Sequence, residues 1–183
     1  MPAIWSDGRH NGRPNERVDC LIMNKKYKVL LVDDSVEDQL LTQFALKDSS
    51  CFEIVSCLNN GELAVAYFKG WHHYAKRAEY PLPDLLLLDL NMPLRNGFEV
   101  LRWLKTHAQP GLVKVMLTSS DVEEDIARAS ALGAQGYIVK PGTLKEMQSL
   151  EGRLMACMNV CRGAPVPAHR RPVKVRTPRA TRS

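Results

Sequence analysis

Four consecutive leucines run directly into an aspartate in "LLLLDLNMP", Leu85 to Pro93. With no polar residue at alternate positions, the run suits a strand covered on both faces, as in a parallel sheet, and at four residues it is short for a helix. Asp89 then stands at that strand's carboxyl end, the edge of an open α/β sheet where ligands and chemistry collect. A carboxylate leaving a dry interior there raises the question of which other polar residues meet it.

The flanking sequence repeats the same unit. Tyr27 to Val32 reads as a first buried strand ending at Asp33-Asp34, and Asp38 to Lys47 carries Leu40, Leu41, Phe44 and Ala45 at helical spacing. Phe52 to Leu58 is a second strand, and after "NNG" a short helix from Glu62 to Phe68 has Leu63, Ala64, Ala66 and Tyr67 as packing positions. A long aromatic loop from Lys69 to Pro83 returns to the leucine strand through Pro81 and Pro83. Gly97 opens a helix to Lys105, inward on Val100, Leu101 and Leu104. "LVKVMLTSS" is a fourth strand, "DVEEDIARASALG" a helix stopped at Gly133, and "GYIV" a fifth strand ending at Lys140-Pro141. Thr143 caps a last helix running to Cys161. Five strand–helix repeats predict an α/β fold, a doubly wound parallel sheet with helices on both faces and right-handed crossovers.

At 183 residues, 45% hydrophobic and 25% charged, the chain accommodates one globular domain with tails. No apolar run approaches the roughly 20 residues of a membrane-spanning helix, and the first twenty residues lack the apolar centre of a signal peptide, so no membrane partner and a cytoplasmic location are expected. Five cysteines, Cys20, Cys51, Cys57, Cys157 and Cys161, include no C-x-x-C pair and read as reduced thiols. The net charge of +5 is unevenly placed. Seven Lys or Arg and no acid lie between Arg162 and Ser183, which leaves the preceding residues at −2, seven below the total. Residues 1–24, rich in Gly, Pro, Asn and Arg, read as a disordered extension; 25–161 as the domain; 162–183, with prolines among its arginines, as an extended, disordered basic tail. Met23 resembles a natural start.

A strand followed by a helix delivers its last residues to one common edge. That edge collects Asp33 and Asp34 from the first strand, Asp89 from the third, Thr118 and Ser119 from the fourth and Lys140 from the fifth. Carboxylates about 4 Å apart repel by roughly 4 kcal/mol at an effective dielectric of 20, more than one lysine offsets. A hard divalent cation, magnesium or manganese, answers the charge. Asp34 and Asp89 are the expected direct ligands, with Asp33 acting through water and the backbone carbonyl of Asn91 reaching from the loop. Asp89 can then attack a phosphoryl group in line and become an acyl phosphate, while Lys140 absorbs charge on the equatorial oxygens. Thr118 can hydrogen-bond the phosphoryl oxygen, and small Ser119 leaves the approach open. No strong general base is present, which suits chemistry governed by positioning and electrostatics.

The pattern resembles the receiver domain of bacterial two-component response regulators. It is carried by "LLVDDS", "LLLLDLNMPLRNG", "VMLTSS" and "GYIVKP", in that order and each at a strand end, over Lys25 to Cys161. The resemblance implies a flavodoxin-like five-stranded domain that takes phosphate on Asp89 from a histidine kinase or histidine phosphotransfer protein and catalyses its own phosphorylation and dephosphorylation. It further implies that Thr118 moves toward the phosphate, that Tyr137 turns inward as a switch, and that the peptide before Pro141 is cis. Ser120 would influence how water enters. A homodimer would form on the fourth helix, fifth strand and fifth helix. The long loop and the lack of an output domain look most like the small stand-alone regulators associated with phytochrome-type kinases.

Rival readings follow from the same residues. A haloacid-dehalogenase-like magnesium-dependent phosphatase also uses a strand-end aspartate, but normally has a second aspartate two residues on, where this chain has Asn91. A receiver-like scaffold that is never phosphorylated would not need the complete acidic set. Asp33 and Asp34 taken alone could be helix-capping acids, and Tyr137 half-buried packing. His72 and His73 are adjacent on a loop, a poor geometry for joint chelation; Trp71, Tyr74 and Tyr80 read as a partner patch or as packing on the second helix. The basic tail suits nucleic-acid binding without sequence specificity, attraction to an acidic partner, or a solubilising end without a target.

Overall fold

In the computed structural model, residues 26–162 and 173–174 are described. β1 (Tyr27–Val32), β2 (Phe52–Leu58), β3 (Leu85–Leu88), β4 (Val113–Thr118) and β5 (Gly136–Val139) form a parallel sheet in the order β2-β1-β3-β4-β5. The chain winds outward from β1 in one direction and from β3 in the other. The crevice between their carboxyl ends is therefore the topological switch point.

The leucine run divides the interior. Successive side chains of a strand point to opposite faces, so Leu86 and Leu88 join one core with Leu30, Val32, Tyr67, Leu101, Met116 and Tyr137. Leu85 and Leu87 join the other, with Val29, Leu31, Phe52, Val115, Ile138 and Leu154. All four leucines are fully buried, each contributing about 1.5–3 kcal/mol of transfer free energy as an upper bound.

The helices are α1 (Val36–Leu46), α2 (Gly61–Lys69), α3 (Gly97–Thr106), α4 (Glu123–Ala131), α5 (Leu144–Gln148) and α6 (Leu150–Arg162). Their caps are legible in the sequence: Ser35, Asn60, Asn96 and Thr143 each accept a backbone N–H of the first turn. Gly133 adopts φ +90 just past α4, which a side chain would disfavour. The single last helix expected from Thr143 is broken at Ser149, whose hydroxyl donates to the Glu146 carbonyl at 2.6 Å. Such local bonds compete with helix continuation.

The expected packing positions of α2 hold, whereas the apolar spacing of α1 does not identify its buried face. On α1, Leu40, Leu41 and Phe44 face solvent, while Thr42 and Leu46 are buried. On α2 the buried set is Gly61, Ala64, Val65, Tyr67 and Phe68, with Leu63 and Ala66 at its margin. The long loop forms a 3-10 turn, His72–Ala75, that packs Tyr74 and Tyr80 on Tyr67 at 5.1 and 6.3 Å between ring centroids. Trp71 remains exposed beneath the Lys69 ammonium, 3.9 Å from its ring.

Residues 1–24 and most of the basic tail lie outside the described residues. Within the tail, β6 (Val173–Lys174) pairs parallel with β5, Val173 opposite Gly136. Cys51, Cys57 and Cys157 carry no disulfide. Among the described residues no helix is long and apolar enough to cross a membrane.

Candidate functional site

The hydrogen-bond ladder of the sheet continues one residue past the strand ends and fixes the site. Asp33 N donates to the Leu58 carbonyl at 2.9 Å, Asp89 N to Val32 at 2.8 Å and Lys140 N to Thr118 at 2.8 Å. Three functional side chains thus project from backbone positions as rigid as the sheet. The loop after Asp89 is closely packed as well. A Cβ added to Gly97 would lie 2.3 Å from the Asp89 carbonyl oxygen and 2.9 Å from the Met116 methyl, so only glycine fits there.

The side chains converge as the strand-end order predicts. Asp33, Asp34 and Asp89 each bring a carboxylate oxygen within 4.8 Å of the others, with Asp33 and Asp89 buried and Asp34 exposed. Lys140 Nζ lies 2.8 Å from Asp33 Oδ2 and 3.6 Å from Asp89 Oδ2. Thr118 is fully buried at the end of β4, while Ser119 is exposed beside it. Asn91 is exposed on the loop two residues past Asp89, and Pro141 is half-buried beside Lys140.

Sequence reasoning missed Asp38. Its Oδ2 is 2.7 Å from Lys140 Nζ, the shortest of the lysine's contacts. Asp38 is thus the third carboxylate on the Lys140 ammonium, after Asp33 and Asp89, and the signal available for it, an acid three residues after a Ser cap, points to capping rather than to the site.

The charges act strongly on one another. Burial raises the Asp33 carboxyl above its ordinary 3.8, the nearby Asp89 charge pushes the same way, and Lys140 with the Ser35 N–H opposes both. Burial alone would lower the Lys140 ammonium, but its hydrogen bonds to Asp33 and Asp38 and the Asp89 charge outweigh this and raise it above 10.5. Asp89 Oδ1 is buried with no hydrogen-bond partner, and a buried acceptor left so calls for a donor or a cation. Clustered hard oxygens around such an atom suit magnesium or manganese.

The opposite wall is the β4–α4 loop. Ser120 O accepts from the Tyr137 hydroxyl at 3.1 Å, Ser120 Oγ donates to Asp125 Oδ2 at 2.7 Å, and Ser120 N approaches Thr118 Oγ1 at 3.4 Å. Tyr137 is buried, and its hydroxyl is raised above 10 by that burial. The His73 ring packs against Tyr74, tilted, and against Tyr80, edge-on, at 4.1 and 5.2 Å between centroids, a packing role rather than chelation.

Residues 29–150 match the response regulator receiver domain family. The chain belongs to that family. Response regulator Rcp1 of Synechocystis sp. is 35% identical to this receiver over 122 residues, 65% of this chain and 80% of Rcp1. Chemotaxis protein CheY of Halobacterium salinarum is 38% identical over 114 residues, 62% of this chain and 84% of CheY. Among solved structures, the phosphorylated cyanobacterial phytochrome response regulator RcpA superposes with a TM-score of 0.62 at 32% identity, covering 72% of this chain and 96% of RcpA. The manganese-bound form of Rcp1 gives 0.60 at 32% identity, with coverage of 77% and 99%. The five-stranded flavodoxin-like fold, the response-regulator function and the likeness to phytochrome-associated regulators thus stand together. One implied feature of the receiver differs: the Lys140-Pro141 peptide is trans, there being no cis bond among the described residues. The two X-Pro isomers lie within about 1 kcal/mol of each other.

Proposed function

We propose that this receiver accepts a phosphoryl group on Asp89 from a phosphohistidine of a histidine kinase or phosphotransfer protein, and signals through phosphorylation-dependent protein contacts. The reading rests above all on the unpartnered buried Asp89 Oδ1 among fixed carboxylates. Asp34 and Asp89, with Asp33 through water and the Asn91 carbonyl, would hold magnesium or manganese, which would supply positive charge against the carboxylates and the incoming phosphoryl oxygens. An Asp89 oxygen forms the new bond to phosphorus as the bond to the donor imidazole nitrogen breaks, and the imidazole departs with that electron pair and takes up a proton. Lys140 meets charge on an equatorial oxygen, and Thr118 donates its hydroxyl to another. Tyr137, already bonded to the Ser120 carbonyl, keeps the β4–α4 loop near the phosphoryl site and carries the change to the surface of α4, β5 and the last helices, where a homodimer would form. Ser120 and Pro141 border the path of the hydrolytic water.

The donor protein docks on α1. Val36, Leu40 and Phe44, 65%, 59% and 70% exposed, form a stripe at i, i+4 and i+8 that begins two residues after Asp34. An amphipathic donor helix laid on it would bring a histidine to the pocket. The resemblance to RcpA makes a phytochrome-type kinase the donor class to try first. Asn91 leaves the haloacid-dehalogenase alternative without its second acid.

Labelling by radioactive acetyl phosphate with magnesium tests the assignment. Asp89→Ala should carry no label, and a variant labelled like wild type would return the chain to the scaffold reading.

A further inference from the structure

Asp38 belongs neither to the acidic trio nor to the capping pattern that its position suggests. As the third residue of α1 behind a Ser cap, its carboxylate would ordinarily turn back to the cap's own N–H, as Glu99 Oε2 does to Asn96 N at 3.0 Å in α3. On α1 that N–H is already taken: Ser35 N donates to Asp33 Oδ1 at 3.0 Å. Asp38 keeps its backbone bond to Ser35 Oγ at 3.2 Å and sends its carboxylate to Lys140 instead.

The lysine's three protons are then unevenly shared. One is donated to Asp38 Oδ2 at 2.7 Å, Asp33 Oδ2 is held by ion-pair contact at 2.8 Å, and Asp89 is left at 3.6 Å, beyond hydrogen-bond reach. The two close partners differ in freedom. Asp33 is 1% exposed and tied by backbone and side chain, whereas the Asp38 side chain is 37% exposed, so water can replace its partner.

We propose that Asp38 is a positioning residue that holds Lys140 away from Asp89 in the resting receiver and gives it up when a phosphoryl group arrives. The proposal rests on Asp89 being the phosphoacceptor. Phosphoryl oxygens concentrate negative charge on the side of Lys140 where contact is now weakest, and the solvated pair with Asp38 yields before the buried pair with Asp33. Phosphorylation then cuts an ion pair joining the first turn of α1 to the end of β5. The apolar stripe starts in that same turn, so the donor's landing surface senses the transfer.

Beryllium fluoride with magnesium, a phosphoryl mimic, is the probe. In the wild-type chain the Asp38 carboxylate carbon should shift in the NMR spectrum on adding the mimic, and should not respond in Lys140→Met. Asp38→Asn should bind the mimic roughly twofold to fivefold more tightly, the range of a partly exposed ion pair, and the gain should vanish on the Lys140→Met background. An unmoved Asp38 resonance overturns the proposal. So does an unchanged affinity, or an equal gain without Lys140, which would reduce Asp38 to general repulsion. A wild-type chain that neither binds the mimic nor takes label from acetyl phosphate overturns the phosphoacceptor reading itself, a failure distinct from the others.

Discussion

Asp33 illustrates how the pocket trades stability for charge. Its folded carboxyl titrates above its ordinary value because burial and the Asp89 charge disfavour ionisation, so the ionised form is destabilised by folding. That cost is fully present above the raised folded value and disappears below about 3.8, where both states are protonated. Asp33→Asn should therefore melt higher than wild type at pH 7 without magnesium, with the difference closing as pH falls below that range; a lower-melting variant at pH 7 would mean that the Lys140 pair dominates. Lys140 has the opposite sign. Its raised value contributes stability that is whole below pH 10.5 and lost as pH rises through the folded value. Lys140→Met strands buried carboxylates and should cost on the order of 3 kcal/mol, with partial recovery in magnesium, as read by thermal unfolding. Asp33, Asp34, Asp89, Thr118 and Lys140 were legible because each follows or ends a strand of plain apolar pattern. Asp38 was not, because its role depends on a backbone N–H already being occupied, which residue order does not record.

Among the elements, α1 separates what pattern reveals from what it hides. Its apolar residues wrap around more than one face, so spacing identifies a helix without saying which side meets the sheet. Thr42 and Leu46 turned inward, and Leu40 and Phe44 outward. Phe44→Ser should accordingly change stability by no more than about 0.5 kcal/mol, leave acetyl phosphate labelling intact and slow transfer from a phosphorylated donor protein. Equal transfer rates would remove α1 from the donor surface. The β3–α3 turn is the reverse case, where there is no room to vary. Gly97→Ala places a methyl against the Asp89 carbonyl oxygen and Met116, and the overpacking should destabilise by about 1–3 kcal/mol and slow labelling together, measured by denaturation and phosphorylation of one preparation.

For the molecule as a whole, the five strands of the domain, their parallel direction and the helices on both faces could be anticipated from five short apolar runs, since a strand buried on both faces admits few alternatives. The tail could not. Its prolines and arginines predict extension, and a two-residue pairing such as Val173–Lys174 beside β5 has no pattern long enough to detect. Charge remains the tail's plainest property. Removing residues 163–183 should reduce retention on DNA at low salt, whereas unchanged retention would dismiss nucleic acid as its target.

Backbone rungs tie Asp33, Asp89 and Lys140 to neighbouring strands. Crowded anions elsewhere on a protein can drift apart and let the solvent relax their quarrel. These start from backbone positions that the sheet holds, so they cannot part company by moving their strands, and a cation is the means of easing them.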